Sequence, residues 1–337
     1  MRQVSQGIRE LHEFDPDRVI EQLAGETRPV VIRGLATGWP VVQQARKSMD
    51  AASRYLLQFY QDAPVTAFVG DAGLGGRIFY TDGLAQTNFR QIKTQLGWVL
   101  DSIRDHQDDP AAPAIYMGSA ALDIFLPGLS RDNSLNFRPR KPSVRIWISN
   151  RTTVAAHYDV LDNIACVCAG RRRFTVFPPD QIANLYIGPI DFTPAGQAIS
   201  LVDLDHPDFD RYPRFAEALQ HAQEALLEPG DAIYIPSMWW HAVKSLDALN
   251  ILINHWWRDA PAFMGAPADA LLHAILNIRG LPAAQREAWR GIFDHYVFEG
   301  GTESTAHIPR ERLGALAELD ADSARQLRAL LRNHLNR

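Results

Sequence analysis

His157-Tyr158-Asp159 lies within TTVAAHYDVLDNIACVCAGRRRFTVFPPDQ (Thr152–Gln181) and restricts the fold more than any other feature of the chain. An extended strand puts residues i and i+2 on one face, so His157 and Asp159 point one way and Tyr158 the other. Imidazole beside carboxylate offers two ligands to a divalent metal. A lone H-x-D pair arises often by chance, and its weight here comes from a third donor. His241 stands just after the apolar run of PGDAIYIPSMWWHAVKSL (Pro229–Leu246), 82 residues beyond Asp159. Two histidines and one carboxylate form a facial triad that leaves open positions on Fe(II). A jelly roll brings strands this far apart in sequence together across its interior.

Composition agrees with such a fold without selecting it. The chain has 337 residues, 46% hydrophobic and 22% charged, an ordinary globular balance with enough length for a large core. Its net charge of −5 is unlike the basic footprint of a nucleic-acid binder. Cys166 and Cys168 sit two apart on one apparent strand, poorly placed for a disulfide, and read as small buried hydrophobes. The start, MRQVSQGIRELHEFDP, has no apolar signal region. No window reaches the roughly 18 apolar residues of a membrane span. A cytoplasmic location and no membrane partner are expected.

Three regions follow from the order of motifs. Residues 1–110 read as an N-terminal α/β extension. Within it are a helix opened by Asp15-Pro16, a buried strand at Val30-Val31-Ile32, a helix over 48–62 and a strand at 63–70. The GLGG of 71–88 is not followed by G-K-[ST], so it reads as a hairpin turn and not a phosphate loop. Phe89, Ile92, Leu96, Val99, Leu100 and Ile103 predict one helix from Phe89 to Arg104. Residues 111–258 read as the jelly-roll core, entered near Tyr116 and interrupted by a Pro- and Asp-rich segment at 182–215. A loop of that kind over a barrel mouth usually carries substrate contacts. Residues 259–337 read as helices over Ala268–Arg279, Ala283–His295 and Arg310–Leu335, the last with an apolar leucine stripe.

HYDVLDN, GRRRFTVFPPDQ, EPGDAIYIPSMWWHAV and INHWW occur in that order. Together they make the chain resemble the cupin-like JmjC oxygenases that depend on Fe(II) and 2-oxoglutarate. The asparaginyl hydroxylase of hypoxia-inducible factor and the tRNA wybutosine hydroxylase are members. The resemblance covers roughly Pro29 to Trp257 and is densest from Ser143. It implies a mainly β fold with flanking helices, a double-stranded β-helix (jelly roll), and His157, Asp159 and His241 as the metal ligands. It also implies a cation for the far carboxylate of 2-oxoglutarate. The family's usual lysine, fifteen residues after the first histidine, is here Arg172. By alternation Arg172 shares a face with Phe174 and Val176, while Arg171 and Arg173 face away. Tyr116 matches the tyrosine whose hydroxyl meets the same carboxylate. Asn163 has the parity of His157 and Asp159, and Asn254 faces the pocket if the motif aligns. Val154 stands where some relatives hold a cosubstrate threonine, with Thr152 and Thr153 as nearby substitutes. The C-terminal helices imply a homodimer.

The expected function is hydroxylation of a protein or peptide side chain. Two alternatives remain open: hydroxylation of a tRNA base or small metabolite, and a metal-binding cupin without oxygenase activity. Asp191, Asp203, Asp205, Asp208 and Asp210, expected near the mouth, would repel a phosphate backbone and argue against a nucleic-acid partner.

Overall fold

The computed structural model describes residues 4, 6–194, 196–300 and 302–336. Its described residues fall into two compact units, Met1–Arg258 and Asp259–Arg337.

The first unit is built from two sheets. One runs Gln6–Gly7, Gln223–Leu227, Arg172–Phe177, Trp240–Ser245, Thr153–Tyr158, Arg77–Ile78. The other has nine strands and carries Asp162–Ala169 between Ala232–Ile235 and Asn250–Trp257, with Ser143–Ser149 next in order. From Ser143 to Trp257 the chain passes repeatedly between the sheets, four strands in each, which makes the jelly roll expected from the sequence. Ile115–Ala121 adds a strand beside Ser143–Ser149, and Val30–Ile32 adds one beside Ala232–Ile235.

Side-chain alternation decides what each face does. On Asp162–Ala169, Ile164, Cys166 and Cys168 join a core with Val41, Val42, Leu56 and Val99 of the flanking helices. Ala165 and Val167 point the other way and pack with Phe174, Val176 and Leu252 between the sheets. Both cysteines are therefore free, buried packing residues. Fully burying a Val, Ile or Phe contributes about 1.5–3 kcal/mol. A one-residue slip of any strand would exchange its two faces, so register is held from both sides. Gly170 makes the turn into the Arg172 strand at φ 67°, and a Cβ there would lie 2.4 Å from the Leu249 carbonyl oxygen.

The segment after Phe177 is anchored by its two ends. Leu185, Val202, Leu204 and Phe215 bury with Phe177, Trp240 and Ala242 on the outer face of the six-stranded sheet. Between them, Gly188 N–H donates to Ile199 O at 2.9 Å, which pinches off a loop.

Three expected elements differ. Phe89–Thr94 is a strand paired with Val65–Gly70, and the helix starts only at Leu96. Phe89 and Ile92, three apart, imitate helical spacing, but Gln95 is extended (φ −91°, ψ 151°) and separates strand from helix. Residues 71–88 hold more than a turn: Arg77–Ile78 pairs in parallel with the His157 strand. In the second unit, the helix expected from Arg310 begins at Ala321. Asp320 accepts from the backbone of Asp322 and Ser323, while Ser323 Oγ returns a contact to the Asp320 N–H, a capping box that sets the start. The other two helices of this unit are Pro267–Asn277 and Ala283–Phe293. Leu272, Leu276 and Phe298 are exposed.

His255 sits in the core with its ring stacked on Phe137 at 5.3 Å and edge-on to Trp39. Burial pulls it down to about 4, so the folded chain keeps it neutral where an unfolded chain takes a proton. Stability of the metal-free protein should therefore fall as pH drops from about 6.5 towards 4, by about 1.4 kcal/mol per pH unit for this one group. Urea unfolding across that range should show a shallower decline in His255→Leu, and an unchanged slope would contradict the assignment.

Candidate metal centre

His157 and His241 are direct partners across an antiparallel pair. Both side chains point between the sheets, with ring centroids 4.3 Å apart. Each Nδ1 lies on a backbone carbonyl two residues upstream, Ala155 O at 2.9 Å and Trp239 O at 3.0 Å. A carbonyl only accepts, so each Nδ1 carries the proton and each Nε2 presents a lone pair. Asp159 Oδ2 stands 3.7 Å from His241 Nε2. The donor atoms of His157, Asp159 and His241 lie within 4.8 Å of one another. Burial first, then the neighbouring His157, push His241 down to about 4. A neutral imidazole is the form that binds metal. Two imidazoles and a carboxylate suit iron, with positions left over.

The triad forms one end of a cavity of about 180 Å³ that is also lined by Tyr116, Asn163, Arg172 and Asn254. Arg172 is 3% exposed. Among the described residues its Nε and Nη2 have no hydrogen-bond partner. Burial pulls its guanidinium down to about 10, which still leaves a full positive charge at neutral pH. An uncompensated buried cation costs several kcal/mol, and an incoming carboxylate would offset that cost. Phe174 lines the same cavity, Arg171 pairs with Asp247 at 2.8 Å, and Arg173 reaches Asp205 and Glu224, so the alternation read from the sequence holds. Val176 pairs with His241. Arg172 is thus four residues from the metal level, roughly 13 Å along the strand. Tyr116 is buried, and desolvation raises its hydroxyl well above the usual phenol range while the Arg172 charge opposes that rise.

Thr153 does not reach the cavity. The His157 and His241 strands change register between His241/His157 and Val243/Val154, where Ala155 and Ala156 oppose Ala242 alone. This bulge changes the phase of the strand. Val154 and Ala155 line the cavity, while Thr153 turns outward to a shallow pocket with Arg173, Thr175 and Lys244. The acidic residues are also placed differently from expectation. Asp205 pairs with Lys244 at 2.7 Å, and Asp203 faces Arg77 at 3.8 Å. Asp208 caps the Arg211 N–H at 2.9 Å. Neutralised or capping, these three do not form a charged mouth.

Trp256 is the residue that motif reading passed over. It lines the cavity, and its Nε1 donates to Asp159 Oδ2 at 3.1 Å. It is two positions after Asn254, so strand alternation alone would have found it. Gly118 is a second omission. A Cβ there would lie 2.6 Å from Tyr116 Cε1 and 3.1 Å from the Trp147 ring, so the bare backbone is what lets those two side chains form the wall. Pro194, Gln197 and Ile199 bring the loop pinched off after Gly188 to the cavity.

The model of the cupin-like domain matches residues 16–263. The chain belongs to the cupin-like family. Among curated relatives of this cupin-like chain, lysine-specific demethylase JMJ31 of Arabidopsis thaliana is 36% identical over 120 residues, 35% of this chain and 21% of that protein. The tRNA wybutosine-synthesizing protein 5 of Mus musculus is 32% identical over 143 residues, 42% of this chain and 40% of the relative. JmjC domain-containing protein F of Dictyostelium discoideum is 32% identical over 126 residues, 34% of this chain and 26% of the relative. The cupin-like domain here is of the JmjC type, and the matches span less than half the length of these relatives.

One divalent ion per chain should bind at this centre. Isothermal titration with Mn(II) should give a stoichiometry near one, lost in His157→Ala and in His241→Ala and kept in Thr153→Ala. Wild-type binding in both histidine variants would remove the site.

Proposed function

We propose that the chain is an Fe(II)- and 2-oxoglutarate-dependent oxygenase that hydroxylates a side chain of a protein or peptide. The observation that carries this reading is Arg172, a buried cation with unpartnered nitrogens in the same cavity as the His157-Asp159-His241 triad. His157, Asp159 and His241 would hold the iron. Arg172 would receive the far carboxylate of 2-oxoglutarate in a fork-to-carboxylate contact, with the Tyr116 hydroxyl beside it. When bound, the pair supplies the oxidation: 2-oxoglutarate leaves as succinate and CO₂, and one atom of O₂ enters a substrate C–H bond. The protein's part is to exclude water and hold ligand and cosubstrate in place. The apolar wall of Ile78, Val154, Phe174 and Leu252 does the first.

The polypeptide substrate is supported by what surrounds the cavity. Among its described lining residues Arg172 is the one Lys or Arg, and it is spoken for by the cosubstrate. Val160 and Met238 are exposed apolar residues next to Asp159, the latter through a 2.8 Å bond from Met238 N–H to Asp159 O. Nothing in this lining resembles the cations that neutralise a phosphate backbone. The tRNA alternative draws on the wybutosine-synthesizing relatives. The deciding experiment incubates the iron-loaded chain and 2-oxoglutarate with cell protein extract and, separately, with tRNA. Mass spectrometry should find peptides heavier by about 16 Da, one oxygen atom. A modified nucleoside with no modified peptide would favour the alternative. Absence of succinate in every arm would leave a metal-binding cupin.

Loss of a charge-assisted contact worth about 1.5–3 kcal/mol weakens binding about ten- to hundredfold. Arg172→Ala should raise the 2-oxoglutarate constant by that factor while its Mn(II) stoichiometry stays at the wild-type value. An unchanged constant would detach Arg172 from the cosubstrate.

A further inference from the structure

The carboxylate of Asp159 is the end of a hydrogen-bond chain that has a sense. Trp147 Nε1 donates to Asn254 Oδ1 at 2.9 Å. Asn254 Nδ2 donates to Asn163 Oδ1 at 3.3 Å. Asn163 Nδ2 donates to Asp159 Oδ2 at 3.4 Å, and Trp256 Nε1 reaches the same oxygen at 3.1 Å. An amide can usually be turned end for end. Here both ends of the chain are fixed by chemistry. An indole N–H only donates, and an ionised carboxylate only accepts. Asn254 must therefore show its oxygen to Trp147, its NH₂ must face Asn163, and the NH₂ of Asn163 must face Asp159. No other arrangement satisfies all four bonds. The two indoles that start the donations pack edge to face, with centroids 5.9 Å apart and planes at 84°, so neither can swing away without disturbing the other.

We infer that Trp256 and Asn163 clamp one oxygen of Asp159, and that Trp147 and Asn254 hold the clamp in its single workable sense. They are positioning residues that act on the metal through Asp159. Two donors on Oδ2, the oxygen that stands 3.7 Å from His241 Nε2, fix the rotation of the carboxylate beside the two imidazoles. The inference rests on the metal reading of the triad, and partners behind a ligating group commonly change metal affinity by 10–100-fold when removed.

Trp256→Phe keeps the ring and deletes the N–H. Its affinity for Co(II), followed by visible absorbance in the absence of any cosubstrate, should fall tenfold or more. The Co(II) band should change in position or intensity as the freed carboxylate rotates, while the thermal melting of the metal-free chain stays close to wild type. Asn163→Ala removes the other donor and should give a loss of the same kind; it decides the matter if Trp256→Phe does not fold. Wild-type Co(II) affinity and spectrum in the folded variant would overturn the clamp and leave the metal site standing. A wild-type chain that binds no Co(II), or an Asp159→Ala chain that binds it as tightly as wild type, would remove the metal reading and the clamp with it.

Discussion

The antiparallel pairing that sets His157 opposite His241 is the constraint on which the centre depends. Each histidine is aimed by its own strand, through an Nδ1 bond to a carbonyl two residues back. The aim is as good as the register, and register is guarded by packing on both faces of both sheets. Slipping the His241 strand by one residue would bury His241 against the apolar segment that now covers Trp240 and Ala242. The same slip would expose Trp240 to the cavity. Core packing that seems to concern only stability therefore also sets the ligand geometry.

Electrostatics divides the cavity into two ends. At one end a carboxylate receives donors from an indole and an amide. At the other a guanidinium is buried with nitrogens to spare. The walls between them are largely apolar, so neither charge is well screened by water. In the proposed reading, a dianion would meet the guanidinium with one carboxylate and a metal beside Asp159 with the other.

Much of this was legible in the chain because it follows from parity. His157 with Asp159 and Arg172 with Phe174 needed only a period of two and the assumption of strands; Asn163 also lines the cavity, but a turn at 159–161 carries the chain to the other sheet before it, so shared parity is not what places it there. Where parity broke, the reading broke with it. The doubled residue at Ala155-Ala156 sends Thr153 to the outside, and no pattern in TTVAAHYD marks it. Phe89 and Ile92 imitate a helix because their spacing of three continues into the apolar period of the helix that starts at Leu96, although both lie in a strand. Asp203 and Asp205 seemed free to line the mouth, but Val202 and Leu204 anchor that stretch on the outer face, where Arg77 and Lys244 pair with them. Trp256 was overlooked although the rule that placed Asn254 inward also places it.

The bulge before His157 reaches beyond placement. By turning Val154 inward it puts an isopropyl group on the cavity wall at a position where a threonine would have the same shape. Valine and threonine differ by exchange of a methyl for a hydroxyl, so the polarity of the wall can change there with no change in volume. A hydroxyl so placed costs free energy unless it finds an acceptor or donor. The pocket thus carries an isosteric site at which one residue change would trade dryness for a hydrogen bond, while the His157-Asp159-His241 group and the fold stay untouched.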